Sequence, residues 1–362
     1  MTLSYSHAHQ QGSGTTEVVA VLVAITKHTA RVLTVDQGKL LPNGPLMPLH
    51  RSLQAGVRQW VEEQTQQPLG YLEQLYTFVD TNRRNNDGHA LVYVSYLGLV
   101  QETQAQLQSQ ALWSDWYDYF PWENHLEGMP AIIMDYIVPA LLRWADDAKE
   151  PDVQQRRRQR IGLCWGVSET MLDNCFQNKS TVSNTETNSQ PINNQEYENR
   201  EWIAEHVLLR YEMLYEAGLI AEAPTYPPSY LLSSPSNAQS DNTFKLPSNW
   251  LQLIGSPMYY DHRRVIATAI SRLRAKIEYR PLIFGLMPDV FTLSQLQQSV
   301  EALSGVRLHK QNFRRLLESQ SLVLETGQSS SAQRGRPAKL YRFRHDIELQ
   351  SLLMDSKLPK RK

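Results

Sequence analysis

Residues 291 to 320 read FTLSQLQQSVEALSGVRLHKQNFRRLLESQ, and this stretch decides what stands toward the C-terminal end of the chain. Thr292 is an N-cap residue, and Gln295 three positions on completes a capping box, so a helix starts after Thr292. The helix runs to about Leu303 and stops at Gly305. Leu308 anchors a tight turn, and a second helix covers Lys310 to Gln320 with Phe313, Leu316 and Leu317 as its buried stripe. Gln311, Asn312, Arg314, Arg315 and Glu318 occupy its remaining surface. Leu322-Val323-Leu324 then reads as a short strand, Gly327 to Pro337 as a flexible basic tip, and Lys339 to Phe343 as a returning strand. Two short helices joined by a turn and followed by a β-hairpin make a winged helix-turn-helix. Its second helix offers the amide and guanidinium groups that read a major groove. Arg334, Arg336 and Lys339 supply the hairpin with phosphate or minor-groove contacts. A winged helix that binds protein instead of DNA remains the alternative.

Charge points the same way. From Tyr259 to Lys362 there are 19 Lys or Arg against 9 Asp or Glu, whereas the rest of the chain carries 17 against 28. The net charge of −1 therefore hides a basic module on an acidic body. A basic module takes a polyanionic partner, though charge alone does not separate DNA from RNA or an acidic protein surface. Much of the basic excess upstream of Pro281 falls on one long helix, YYDHRRVIATAISRLRAKIEY, which serves as a connector over 246–280.

Further toward the N-terminus, Glu17 to Val35 reads as two strands turning near His28, Arg51 to Gln64 as a helix, and Leu75 to Asp80 and Ala90 to Leu99 as strands. Together they predict a small mixed α/β domain over 15–100. The 101–245 region reads as a helical insertion, with helices at about 129–148, 152–176 and 197–217. Trp113, Trp116, Tyr117, Tyr119, Phe120 and Trp122 form an aromatic lid or docking surface within it, and Arg156 to Arg158 with Arg160 read as a solvated face. Disordered loops are expected near 178–194 and 224–242. The whole is an α+β chain, with the winged helix over 281–350. Cys164 and Cys175 are expected as free thiols in a reducing cytoplasm. No apolar run approaches the ~20 residues of a membrane span, so no membrane partner is expected.

Gly44 to Gln66 carries the possible chemistry. On a helix Gln59, Glu62 and Glu63 share one face, and two carboxylates so placed could share a hard divalent cation such as Mg²⁺. Arg58 could orient one of them. An ordinary surface helix with two exposed glutamates is the other reading.

This segment resembles the Nudix box: Gly, five residues, Glu, seven residues, then Arg-Glu-hydrophobic-x-Glu-Glu-x-Gly. Gly44, Arg58, Trp60, Glu62 and Glu63 fall on the pattern, while His50, Gln59 and Thr65 depart from it. Glutamine keeps the size of glutamate without its charge or basicity. The resemblance thus implies a domain that does not hydrolyse efficiently and still binds a nucleotide diphosphate through Arg58, Glu62 and Glu63. From DHRRVIATAISRLRAKIEYRPLIFGLMPDVFTLSQLQQSVEALSGVRLHKQNFRRLLESQSLV to RGRPAKLYRFR, Asp261 to Arg344, the chain resembles the Nudix-related transcriptional regulators of NAD metabolism, in a longer variant. The resemblance implies a homodimeric repressor of NAD biosynthesis or salvage genes, with ADP-ribose or a related nucleotide as effector and no required cofactor. DNA contacts would come from Arg307, Lys310, Gln311, Asn312, Arg314 and Arg315, with Arg334, Arg336 and Lys339 in the wing. Two alternatives stay open. One is a Mg²⁺-dependent hydrolase of nucleoside diphosphates using Glu62 and Glu63; the other is a helical scaffold with a protein-binding winged helix.

Overall fold

Glu17 to Thr26 is apolar almost throughout, as suits a strand covered on both faces. It forms β1 (Thr16–Thr26) at the centre of a mixed sheet ordered β4-β5-β1-β2-β6, with β3 (Asn43–Pro45) also paired to β1. The computed structural model describes residues 16–84, 88, 90–102, 107–168, 202–232, 244–279, 283–330 and 337–344. β2 (Thr29–Thr34) returns antiparallel after a two-residue turn in which Lys27 and His28 both take positive φ, the geometry that suits the twist of a tight hairpin. β5 (Ala90–Leu99) lies parallel to β1, and β4 (Leu72–Arg84) closes that edge antiparallel to β5.

Alternation along β1 divides the core. Val18, Ala20, Leu22 and Ala24 meet Val57 and Val61 of α1 (Leu53–Thr65). Both valines are fully buried, each contributing about 1.5–3 kcal/mol. Ser52 caps α1 by accepting from the Ala55 N–H. Val19, Val21 and Val23 belong to the second core, with Val265, Ile266, Ile270 and Leu273.

Two elements differ from the expected boundaries. β6 (Leu112–Asp115), beyond residue 100, pairs with β2 and extends the sheet. The helix expected as a connector, α7 (His262–Tyr279), packs against the sheet as its second helical layer. Four of its five Lys and Arg residues are engaged within the fold, with Arg272 left exposed: Arg263 and Arg274 are buried, Arg264 pairs with Glu212 and Asp261, and Lys276 pairs with Glu73. The aromatic run at Trp113 to Trp122 is core rather than an open lid, folding through two 3-10 turns, Trp116–Asp118 and Pro121–Glu123.

The middle helices are α2 (Val138–Asp146), preceded by a π turn at Ile133–Ile137, α3 (Pro151–Trp165) and α4 (Val207–Glu216). Shorter pieces are α5 (Ser229–Leu232) and α6 (Trp250–Leu253). α3 stops well short of residue 176, because Gly166 takes a left-handed φ of 63° and ends it. The loop expected at 178–194 lies outside the described residues. Of the loop expected at 224–242, the described part ends at Leu232; within it Pro228 is buried and the Tyr230 hydroxyl donates to Ala217 O at 2.6 Å. Among the described residues, no helix is long and apolar enough to cross a membrane.

The C-terminal part folds as its capping signals predict. In α8 (Leu293–Ser304), Thr292 and Gln295 make the reciprocal capping box, and Gly305 ends the helix at φ 76°. α9 (Lys310–Ser319) follows, then β7 (Val323–Ser329) and β8 (Lys339–Phe343), which pair antiparallel. Phe291 bridges to Tyr341 and gives the hairpin a third partner.

Candidate nucleic-acid interface and an incomplete metal site

Phe313 and Leu317 bury one side of α9 against the domain. The opposite side presents Lys310, Gln311, Asn312, Arg314 and Arg315, all exposed and without a side-chain partner among the described residues. No side chain caps the start of α9, so its first-turn N–H groups also stand open. Arg307 behaves differently. It donates to Glu127 at 2.9 Å, to Glu301 at 3.4 Å and to Leu126 O at 3.1 Å, fastening the turn before α9 to the middle of the chain. Lys339 is exposed at the tip end of β8, where it pairs with Glu325. Arg334 and Arg336 lie outside the described residues.

In the Nudix-box segment, Gly44 lies against the Trp60 indole, where a Cβ would come within 2.3 Å of the ring, and Trp60 Nε1 donates to Pro45 O at 3.0 Å. Glycine is thus the residue that lets β3 and α1 approach. Two of the three departures from the box, His50 and Gln59, bond to each other. The Met47 N–H donates to His50 Nδ1 at 3.0 Å, so the ring proton sits on Nε2 and is donated to Gln59 Oε1 at 3.0 Å. Gln59 Nε2 in turn donates to Glu63 Oε1 at 2.7 Å. Arg58 donates to the carbonyls of Leu69 (3.2 Å) and Gly70 (2.5 Å) rather than to Glu62 or Glu63. Thr65, in place of the box glycine, is buried and holds the helix end by donating to Val61 O at 2.7 Å. A cleft of about 260 Å³ opens beside Glu63 and Gln64, bounded by Asp36 and Asn43. This donor set does not suit a hard divalent cation, because an amide, Gln59, stands where the box has a carboxylate and one Glu63 oxygen already accepts from it. Among the described residues no group of three or more His, Cys, Asp or Glu is placed to hold a metal ion.

A buried ionic cluster, invisible to motif reading, joins the two regions. Glu123 accepts from Arg210 at 2.6 and 2.8 Å and from Arg274 at 2.6 Å, all three fully buried or nearly so. Burial pushes the Glu123 pKa up, yet the two guanidinium groups outweigh it and hold the carboxyl below its ordinary value. Arg274 also donates to Leu303 O at the end of α8, and the Tyr117 hydroxyl donates to Ala302 O at 2.7 Å. The His125 N–H reaches Gly305 O at 2.7 Å. A Cβ on Gly305 would sit 2.3 Å from Glu123 O. On the other border, Gln101 Nε2 donates to Met287 O at 2.7 Å.

Fold and site together define a Nudix-like α/β domain with a helical middle and a C-terminal winged helix-turn-helix. Residues 283–343 match the family model described as the NrtR DNA-binding winged helix domain. The ADPR responsive transcriptional repressor NtrR of Acinetobacter baylyi is 39% identical over 99 residues. That match covers 26% of this chain and 39% of the relative, so the chain spans about two fifths of its length. Among solved structures, Shewanella oneidensis NrtR complexed with a 27mer DNA is 19% identical, with a TM-score of 0.49 over 92% of this chain and 95% of that one. The Nudix domain of the same protein complexed with ADP ribose is 25% identical, with a TM-score of 0.27 over 33% of this chain and 80% of that one.

Proposed function

We propose that this chain is a transcriptional repressor of NAD biosynthesis or salvage genes. It reads operator DNA with α9 and the wing, and an ADP-ribose-like nucleotide in the Nudix-like domain releases it. The observation that carries this reading is the outer face of α9. Three amide or ammonium side chains, Lys310, Gln311 and Asn312, fill its first turn, and Arg314 and Arg315 follow, with nothing among the described residues to satisfy them. Amides and guanidinium groups at the start of such a helix pair with base edges, while its open N–H groups and Lys310 suit phosphate. Lys339, with Arg334 and Arg336, adds phosphate contacts from the wing. Arg307 acts by setting the turn before α9. A homodimer reading two half-sites is the matching assembly. The Acinetobacter baylyi relative, by name a repressor responsive to ADPR, supports the choice of effector class.

The hydrogen-bonded His50–Gln59–Glu63 chain favours a sensor over a hydrolase, since the face that would gather a cation is tied to itself. The test is binding to DNA upstream of NAD-synthesis genes, titrated with ADP-ribose while product formation is followed. Specific binding weakened by unconsumed ADP-ribose is the expected result. Steady hydrolysis without preference for any operator over random duplex would refute it.

A further inference from the structure

The helical middle holds a cleft of about 640 Å³, apart from the α9 face and the Nudix-box helix. Its volume lies within the ~300–1,000 Å³ typical of ligand pockets. Three segments wall it: Arg143 on α2, the turn carrying Tyr226, and the run from Phe244 through Lys245 to Trp250 and α6. Among the described lining residues two are cationic, Arg143 and Lys245, and none is acidic.

Arg143 is the unusual member. Its guanidinium lies 5.1 Å from the Phe244 ring centroid and makes no hydrogen bond to any described oxygen. Burial draws its pKa below the ordinary arginine value, opposed by nearby Asp146, which is itself engaged by Arg158 at 2.6 Å. The other guanidinium groups drawn inward each have oxygen partners. Arg157 donates to Trp144 O, Arg210 and Arg274 to Glu123, and Arg263 to Tyr119 O. Five N–H donors beside a cleft with no carboxylate among its described lining residues are what an anion would satisfy. Phe244, Trp250 and Tyr226 supply flat apolar walls, and Trp250 is fixed by donating Nε1 to Leu219 O at 2.8 Å. We infer that this cleft binds an organic anion of mononucleotide size, its phosphate or carboxylate against Arg143 and Lys245 and its flat ring against the aromatic wall.

The site stands at the root of α7. Two residues beyond the last lining residue, Gln252, the Ile254 carbonyl accepts from Arg263 in the first turn of α7, and Gly255 packs on Tyr119.

Calorimetric titration of the full chain with AMP, adenosine and inorganic phosphate tests the inference. AMP should bind saturably below about 1 mM, with adenosine and phosphate each at least about tenfold weaker. Arg143→Gln should weaken AMP at least about tenfold, and the exposed Lys245→Gln about threefold, which reads the same site if Arg143→Gln fails to fold. Glu63→Ala, in the sensor helix, should leave AMP binding unchanged. No saturable AMP binding, binding indifferent to both cation variants, phosphate as tight as AMP, or loss through Glu63→Ala alone would each overturn the site.

Discussion

The outer face of α9 and the exposed face of α1 are both short helical surfaces rich in polar side chains, and they treat them oppositely. On α9 the amides and guanidinium groups are exposed and have no side-chain partner among the described residues. On α1, Gln59 bonds to Glu63 and to His50 of the preceding loop, and Arg58 is engaged by two backbone carbonyls. A surface that keeps its donors free is built for a partner to complete; one that satisfies its own is built to hold a shape. Substitutions should therefore separate: changes within a satisfied cluster should lower stability, and changes on the open face should lower binding.

The most deeply satisfied cluster gives the largest effect. Glu123→Ala leaves Arg210 and Arg274 buried without their carboxylate, and should destabilise the chain by about 3–5 kcal/mol in denaturant unfolding. A loss below about 1 kcal/mol would mean the cluster is looser than its distances indicate. On the open face, Arg314→Ala should weaken specific operator binding by about 1–3 kcal/mol and change stability by less than about 0.5. Equal weakening on random duplex would make it a phosphate contact.

His125 offers a pH test of the interior. Its ring lies 3.9 Å from that of Trp202, and burial lowers its pKa to about 4, against the attraction of Glu123. A histidine whose folded pKa is depressed stabilises the fold above its unfolded value of 6.5, and that stability is lost as pH falls toward 4. Between pH 7 and 4.5 the native chain should lose about 2 kcal/mol more than His125→Phe, which cannot titrate. Parallel pH profiles would remove the histidine from the argument. The smallest effect is Gln59→Ala, which should cost about 0.5–1 kcal/mol and leave operator affinity unchanged. A drop in operator binding would instead join the α1 face to DNA recognition.

The winged helix was legible because its signals are local. Thr292, Gln295 and Gly305 fix both ends of α8 within their own turns, and Lys339 to Phe343 alternates as strand β8 does. Placement of β6 and α7 was not, since neither pairing with β2 nor packing on the sheet leaves a mark on neighbouring residues. Arginine was the most misleading residue type. Arg263 and Arg274 contribute to the basic count of the C-terminal part, yet both lie in the core with carbonyl or carboxylate partners. The Nudix-box departures were readable one by one, but the bonding of His50 to Gln59 depends on the loop folding back, which Gly56 permits by leaving room for the His50 ring.

The anchoring of Gly305 sets a mechanical limit. α9 begins five residues after that glycine and, with ten residues, is about 15 Å long. A tilt of only about 5° at the pinned turn would swing the far end of the helix by about 1 Å, comparable with the tolerance of a preorganised contact. The backbone contact between His125 and Gly305 thus works as the fulcrum of a lever, and a displacement too small to disturb the core there is amplified where the helix would meet its partner.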